Sequence, residues 1–214
     1  MAAHMCRKLR CWPPPGADAL GLRSRSRKLA FAAPLGFYMA HCPDMNSERL
    51  VELLDALDTE RIEVWLDGGW GVDALLGKQN RPHKDVDLIV RVSDLARLAA
   101  LLARRCYVLV PGGTSTNMVY RHQGGMEVDI HAVVFDAFGN GDYRMATGDY
   151  WRYPAAGFSG TGNVGGRPVR CLTAEAQVLG HATGYTPAAK DLDDMERLRL
   201  RFGVVLPPQL QRRD

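Results

Sequence analysis

Residues 85–92 read DVDLIVRV, a short apolar and β-branched run opened by two aspartates two positions apart. Such a run is a strand, and period-two geometry sends the Asp85 and Asp87 carboxylates to the same face, two residue rises apart. Two carboxylates aimed together suit a divalent cation. Magnesium is a hard ion that prefers oxygen, and in phosphate chemistry it is held by one or two carboxylates while substrate phosphates supply other ligands. Asp-x-Asp by itself is a weak motif, and the chain contains a second copy, Asp191-Leu192-Asp193. That copy falls in a helical pattern, where residues two apart point to different sides. It reads as a solvated face with the acidic preference of a helix start.

Three further segments raise the first triplet above chance. Glu127-Val128-Asp129-Ile130-His131 alternates polar and apolar. It is a strand that offers Asp129 as a third carboxylate, although a strand with one wet face accounts for the alternation alone. Gly68-Gly69 directly follows the apolar strand at residues 63–67 and opens a short helix at residues 70–76. In that arrangement backbone N–H groups can approach phosphate oxygens with no Cβ in the way. The loop Arg81-Pro82-His83-Lys84 stands just before the carboxylates, where Arg81 and Lys84 are positive charges for a triphosphate or members of a plain solvated loop. His131 shares the face of Asp129 as a nucleotide or substrate contact, or as an ordinary histidine. Trp70 reads as core packing or a pocket wall. Asp73 and Glu127 read as exposed carboxylates or as partners for a cationic acceptor, and Lys190 as a solvated helix start or a cation reaching the triphosphate.

The rest of the chain supplies elements to frame these residues. An amphipathic helix begins at Met45, with Ser47 as its expected N-cap and Leu50, Val51, Leu54 and Leu57 on one stripe. Ser93 is expected to cap a second helix carrying Leu95, Leu98, Leu101 and Leu102. Strands at residues 117–122 and 126–135 are joined by Gly124-Gly125, a hairpin signal, so the sheet is mixed. Residues 139–166 are glycine-rich and irregular, with a strand or substrate-facing loop within residues 143–153. Thr173 caps a helix to about Gly180, and another follows Pro187 and stops at Gly203. The fold class is α/β (α+β), a mixed sheet flanked by helices with a C-terminal helical part. The expected divisions are a leader at residues 1–44, a catalytic core at 45–140, and a substrate-side region with two helices at 141–214.

Charge and cysteine usage narrow the function classes. Residues 1–44 carry seven Lys and Arg against two Asp, and the chain's net charge of +3 against +5 for this stretch leaves −2 for the remainder. A stable nucleic-acid binder would keep its positive charge on the folded part, so none is expected. With Pro13-Pro14-Pro15 and no sustained periodicity, the stretch reads as an unfolded leader, or as sequence upstream of a start at Met39 or Met45. Cys6, Cys11, Cys42, Cys106 and Cys171 form no CxxC pair, which favours free thiols in a reducing compartment. No stretch approaches the length of a membrane span, so the expected location is cytoplasmic.

Taken together, these residues resemble the nucleotidyltransferase superfamily that includes DNA polymerase beta. The run at 67–90, DGGWGVDALLGKQNRPHKDVDLIV, followed by EVDIH at 127–131, is similar to the group of aminoglycoside-2''-adenylyltransferases and lincosamide nucleotidyltransferases. The resemblance extends over residues 45–203, including the His-x-x-Gly-Tyr at residues 181–185 and the Lys190-Asp191-x-x-Asp194 spacing. It implies that Asp85 and Asp87 bind two magnesium ions, that Asp129 binds one of them and serves as general base, and that Gly68 and Gly69 hold the triphosphate of ATP or another NTP. The implied reaction transfers a nucleoside monophosphate to the hydroxyl of a small molecule, an aminoglycoside or a lincosamide, with release of pyrophosphate. A protein-adenylylating enzyme of the antitoxin type and a non-catalytic nucleotide-binding module are the competing readings.

Overall fold

The computed structural model describes residues 44–145, 147–183 and 186–212. Residues 1–43, with Cys6, Cys11 and Cys42, and the Gly184-Tyr185 pair lie outside them. In chain order the elements are α1 (Ser47–Thr59), β1 (Val64–Asp67), α2 (Gly68–Leu76), β2 (Asp85–Arg91), α3 (Leu95–Arg104), β3 (Tyr107–Leu109), β4 (Asn117–His122), β5 (Glu127–Phe135), β6 (Gly141–Arg144), β7 (Tyr150–Tyr153), β8 (Gly160–Val164), β9 (Arg167–Cys171), α4 (Ala174–His181) and α5 (Ala189–Phe202). The nine strands form one mixed sheet in the order β3-β4-β5-β2-β1-β9-β8, with β6 and β7 continuing from the far end of β5. Strands β2 and β5 are parallel, as are β1 and β9, and the other pairings are antiparallel.

Alternation along the central strands sorts side chains onto two faces. Leu66, Leu88, Val90, Val128 and Ile130 point to one side and pack with Leu50, Leu53, Leu54 and Leu57 of α1 and Leu98, Leu101 and Leu102 of α3. The opposite face of the same strands carries Asp67, Asp85, Asp87 and Asp129. Further along it, Trp65, Ile89 and Val133 pack with Tyr143, Tyr153, Leu172 and Ala176. A third cluster joins Val72 of α2 to Val178 of α4, Met195 and Leu198 of α5, and Val204, Leu206 and Leu210 beyond it. Among the described residues no helix is long and apolar enough to cross a membrane.

Local chemistry explains most boundaries and corrects two. Thr173 caps α4 as expected, its side chain accepting from the Ala176 N–H, and Gly203 ends α5 in the left-handed conformation that glycine adopts at least cost. The N-cap of α1 is Asn46 rather than Ser47, with Oδ1 accepting from the Arg49 N–H at 3.0 Å. The turn Val92–Asp94 is 3-10, and Ser93 lies inside it instead of capping α3. The glycine-rich segment at 139–166 is more ordered than its composition suggests. Gly162 in β8 lies so close to the Ala74 carbonyl of α2 that a Cβ there would overlap it, so the glycine lets helix and strand approach. Gly165 and Gly166, at φ 57° and 88°, close the β8–β9 hairpin with the two positive angles that such a turn requires.

Candidate active site

Register brings the acidic residues into one row. Asp67, the last residue of β1, pairs with Asp87 of β2, and Asp87 pairs in turn with Asp129 of β5. Asp85 stands two residues before Asp87 on the same face, opposite Glu127. Directly after Asp67 the chain turns at Gly68, with φ +55°, and enters α2. Asp67 Oδ1 accepts the Gly68 N–H at 2.8 Å, and a Cβ on Gly68 would overlap the Asp87 carboxylate. The Gly68-Gly69 turn therefore lies against the carboxylates, in contact with Asp87 itself.

The carboxylates do not titrate alike. Burial pushes Asp67 up, and the charge of Asp87 adds to that against the opposing pull of His131 and His181. Burial and the same neighbouring charge raise Asp85, with Lys190 acting against them. Asp129 is raised to about 6 by burial and the charge of Asp87, partly offset by His131. Asp87 is the exception. Burial alone would raise it, but the His131 imidazole, with Nε2 3.6 Å from Oδ1, together with His181 and Lys190, holds it below the ordinary range. His131 in turn is raised, because Asp87, Asp67 and Asp129 outweigh its own burial. Like charges that raise one another mark a site short of positive charge. One buried oxygen, Asp129 Oδ1, has no hydrogen-bond partner in this row.

A prediction about stability follows from Asp129. A carboxylate raised from 3.8 to about 6 in the folded state contributes stability that is full below the unfolded value and is lost as pH rises through about 6. With metals chelated, Asp129→Asn is expected to be more stable than wild type at pH 8 by on the order of 1–2 kcal/mol and no more stable at pH 4. Thermal melts in EDTA at the two pH values measure this, and equal differences at both would count against it.

The structure brings Asp85, Asp87, Asp129, Gly68 and Gly69 together, and the basic loop lies beside them. Lys84 is exposed, whereas Arg81 donates to Asp194 of α5 through Nε at 3.0 Å and Nη2 at 2.9 Å. Glu127 is engaged by Arg121, and Trp70 is core, 2% exposed, with its ring 4.7 Å from that of His83. Two sequence expectations need correction. Asp73 is buried rather than exposed, because His83 Nε2, at 2.7 Å, and Asn80 satisfy its carboxylate. Asp191 is buried as well, with Oδ2 accepting the Ala188 N–H at 2.8 Å to close the start of α5. Asp67, His181 and Asp194 were not site candidates from the sequence, where they counted only as parts of motifs shared with the resembled group. The position of Asp67 before the glycine pair was a signal, as were the 181–185 motif and the 190–194 spacing, but what His181 and Asp194 meet depends on where α4 and α5 pack.

Comparison with known proteins adds independent findings. The family model for aminoglycoside-2''-adenylyltransferases matches residues 49–198. A lincosamide resistance protein of Staphylococcus haemolyticus is 29% identical over 156 residues, covering 73% of this chain and 96% of that protein. A 2''-aminoglycoside nucleotidyltransferase of Klebsiella pneumoniae is 28% identical over 129 residues, 58% of this chain and 66% of that protein. Among solved structures, the lincomycin-bound lincosamide antibiotic adenylyltransferase LnuA superposes with a TM-score of 0.66 at 28% identity, over 73% of this chain and 98% of that one. The complex of ANT(2'')-Ia with adenylyl-2''-tobramycin has a TM-score of 0.59 at 20% identity, over 73% and 89% of the two chains, a likeness of fold.

Proposed function

The chain belongs to the aminoglycoside-2''-adenylyltransferase family, and on that premise we propose that it transfers AMP from ATP to a hydroxyl of a lincosamide or aminoglycoside antibiotic in the cytoplasm, with magnesium, releasing pyrophosphate. The observation that carries this reading is the row Asp67, Asp87 and Asp129 set against the Gly68-Gly69 turn. The relatives it matches are named for small-molecule antibiotics, so a protein target is not favoured.

The residues present fit magnesium. Their donors are hard oxygens, three of the carboxylates are raised for want of positive charge, and Asp129 Oδ1 is buried without a partner. Among the described residues no group of three His, Cys, Asp or Glu closes on an ion by itself; magnesium in phosphate chemistry usually takes part of its shell from the substrate phosphates. Asp85, Asp87 and Asp129 would hold two ions there, and the chemistry these supply is neutralisation of the triphosphate and stabilisation of the attacking and leaving oxygens.

The protein's own groups account for the remainder. The Gly68 N–H is already bonded to Asp67, so the Gly69 amide and the start of α2 are the groups that face phosphate oxygens. Lys84 and Lys190 bring positive charge toward the β- and γ-phosphates, and the charge of Lys190 already acts on Asp85 and Asp87. Asp129, raised toward neutrality, takes the proton of the acceptor hydroxyl as its oxygen bonds to the α-phosphorus. The bond from that phosphorus to the bridging oxygen then breaks and pyrophosphate leaves.

The test is magnesium-dependent pyrophosphate release from ATP, GTP, CTP and UTP against a lincosamide and aminoglycoside panel, with the acceptor mass read out. Release accompanied by a nucleotidyl mass gain on a panel member is the expected result. Nucleotidylation of a protein, with no panel member modified, would overturn the reading.

A further inference from the structure

Arg81 is the residue whose sequence context and tertiary contacts suggest different jobs. In sequence it belongs to a basic loop beside the carboxylates, placed to meet a triphosphate. In the fold its Nε and Nη2 both lie on Asp194 Oδ2, at 3.0 and 2.9 Å, joining positions 113 residues apart. The other oxygen of Asp194 takes Arg197 Nη1 at 2.9 Å, and the Asp194 side chain is only 2% exposed. A carboxylate buried between two guanidiniums holds both in place, so the positive charge of Arg81 is already matched.

What the pair joins is as informative as the pair itself. Lys190 stands four residues before Asp194 in α5, hence on the same side of the helix, and it is exposed while Asp194 is buried. Its charge reaches Asp85 and Asp87. The Arg81 guanidinium also lies against Gly69, where a Cβ would overlap Nη2. One and four residues after Asp194, Met195 and Leu198 pack in one cluster with Val72 of α2, the helix that Gly68 and Gly69 begin. The glycine turn, the basic loop and α5 are therefore one assembly, with the Arg81–Asp194 pair as its polar tie.

We propose that Arg81 is a positioning residue: clamped on Asp194, it holds α5 against the glycine turn so that Lys190 faces the nucleotide phosphates, and it is not itself the phosphate ligand. This rests on the nucleotidyltransferase reading above and deepens it. A direct ligand and a strut respond oppositely when Asp194 loses its charge. Asp194→Asn frees the Arg81 guanidinium, which would tighten binding if Arg81 were the ligand and loosen it if Arg81 works through Asp194.

The experiment measures dissociation constants for ATP with magnesium, and KM against kcat, in wild type, Arg81→Gln, Asp194→Asn, the double variant and Lys190→Met. Each single variant is expected to bind ATP about tenfold more weakly, an ordinary coupling between sites. The double variant is expected to be no weaker than the worse single, because both break one tie. Adding Lys190→Met to either strut variant is expected to cost far less than it costs wild type. KM for ATP is expected to rise with kcat little changed. Arg81→Lys provides a second arm should Asp194→Asn not fold: a lysine still binds phosphate as a point charge but cannot make the forked contact, so the strut predicts loss. Unchanged or tighter ATP binding in Asp194→Asn or Arg81→Lys, or multiplicative losses in the double variant, would overturn the proposal. Wild type that neither binds ATP nor releases pyrophosphate with any panel acceptor would instead bring down the parent reading, so the two failures are distinguishable.

Discussion

Asp87→Asn is expected to lower the rate of magnesium-dependent pyrophosphate release about a thousandfold or more, with the fold intact. Asp87 lies at the centre of the acidic row, between Asp67 and Asp129 and two residues beyond Asp85, and touches the Gly68 turn. It is also the member of the row held ionised, by His131, His181 and Lys190, while its neighbours are raised. Asparagine keeps the shape and removes the charge, so the effect falls on cation binding and leaves the β2 core, Val86, Leu88 and Val90, undisturbed. Steady-state rates with saturating ATP and acceptor, alongside near-UV circular dichroism, make the measurement. A variant within tenfold of wild type would remove Asp87 from the proposed machinery.

The largest effect on stability is expected away from the reacting atoms. Asp73→Ala is expected to cost about 3–5 kcal/mol, the usual result of removing one partner from a buried, hydrogen-bonded polar pair. Asp73 and His83 are each 2% exposed and lie 2.7 Å apart through Oδ2 and Nε2, and Asn80 donates to the same carboxylate through its backbone at 3.0 Å and its side chain at 2.7 Å. Burial alone would raise the Asp73 pKa, yet the hydrogen bonds from His83 and Asn80 bring it below the ordinary range. A depressed folded pKa gives stability that is present above the unfolded value and is lost as pH falls through the folded one. The deficit of the variant is therefore expected to be full at pH 7 and to shrink in acid. Urea denaturation at pH 7 and pH 3 measures it, and a loss below 1 kcal/mol at pH 7 would show that the pair carries little. The segment this pair anchors, residues 77–84, runs directly into Asp85, which ties the stability of the fold to the geometry of the site.

Much of both fold and site was legible locally. The alternation in 85–91 and 127–135 placed Asp85, Asp87 and Asp129 on strand faces, and the fold kept those faces. Thr173 and Gly203 marked helix ends because capping satisfies backbone groups within a few residues. Local chemistry misled where two neighbours could do the same job, as with Asn46 and Ser47. It was silent at β8, where Gly160 and Gly162 lower strand propensity and Gly162 lets α2 pack close to the strand, and at β9, where Pro168 does not favour a strand.

The site divides in the same way. A strand's period is a property of successive residues, so the sequence by itself determined that two aspartates share a face, that a third is available on another strand, and that a glycine pair opens a helix. Register and packing join residues tens of positions apart through contacts that no periodicity records. Only the tertiary structure decided that Asp67 completes the row, that Asp73 is buried against His83, and that Arg81 lies on Asp194 with Lys190 one turn away. The pattern of a strand or helix states which way a side chain points, whereas what it meets depends on which element the rest of the chain brings there.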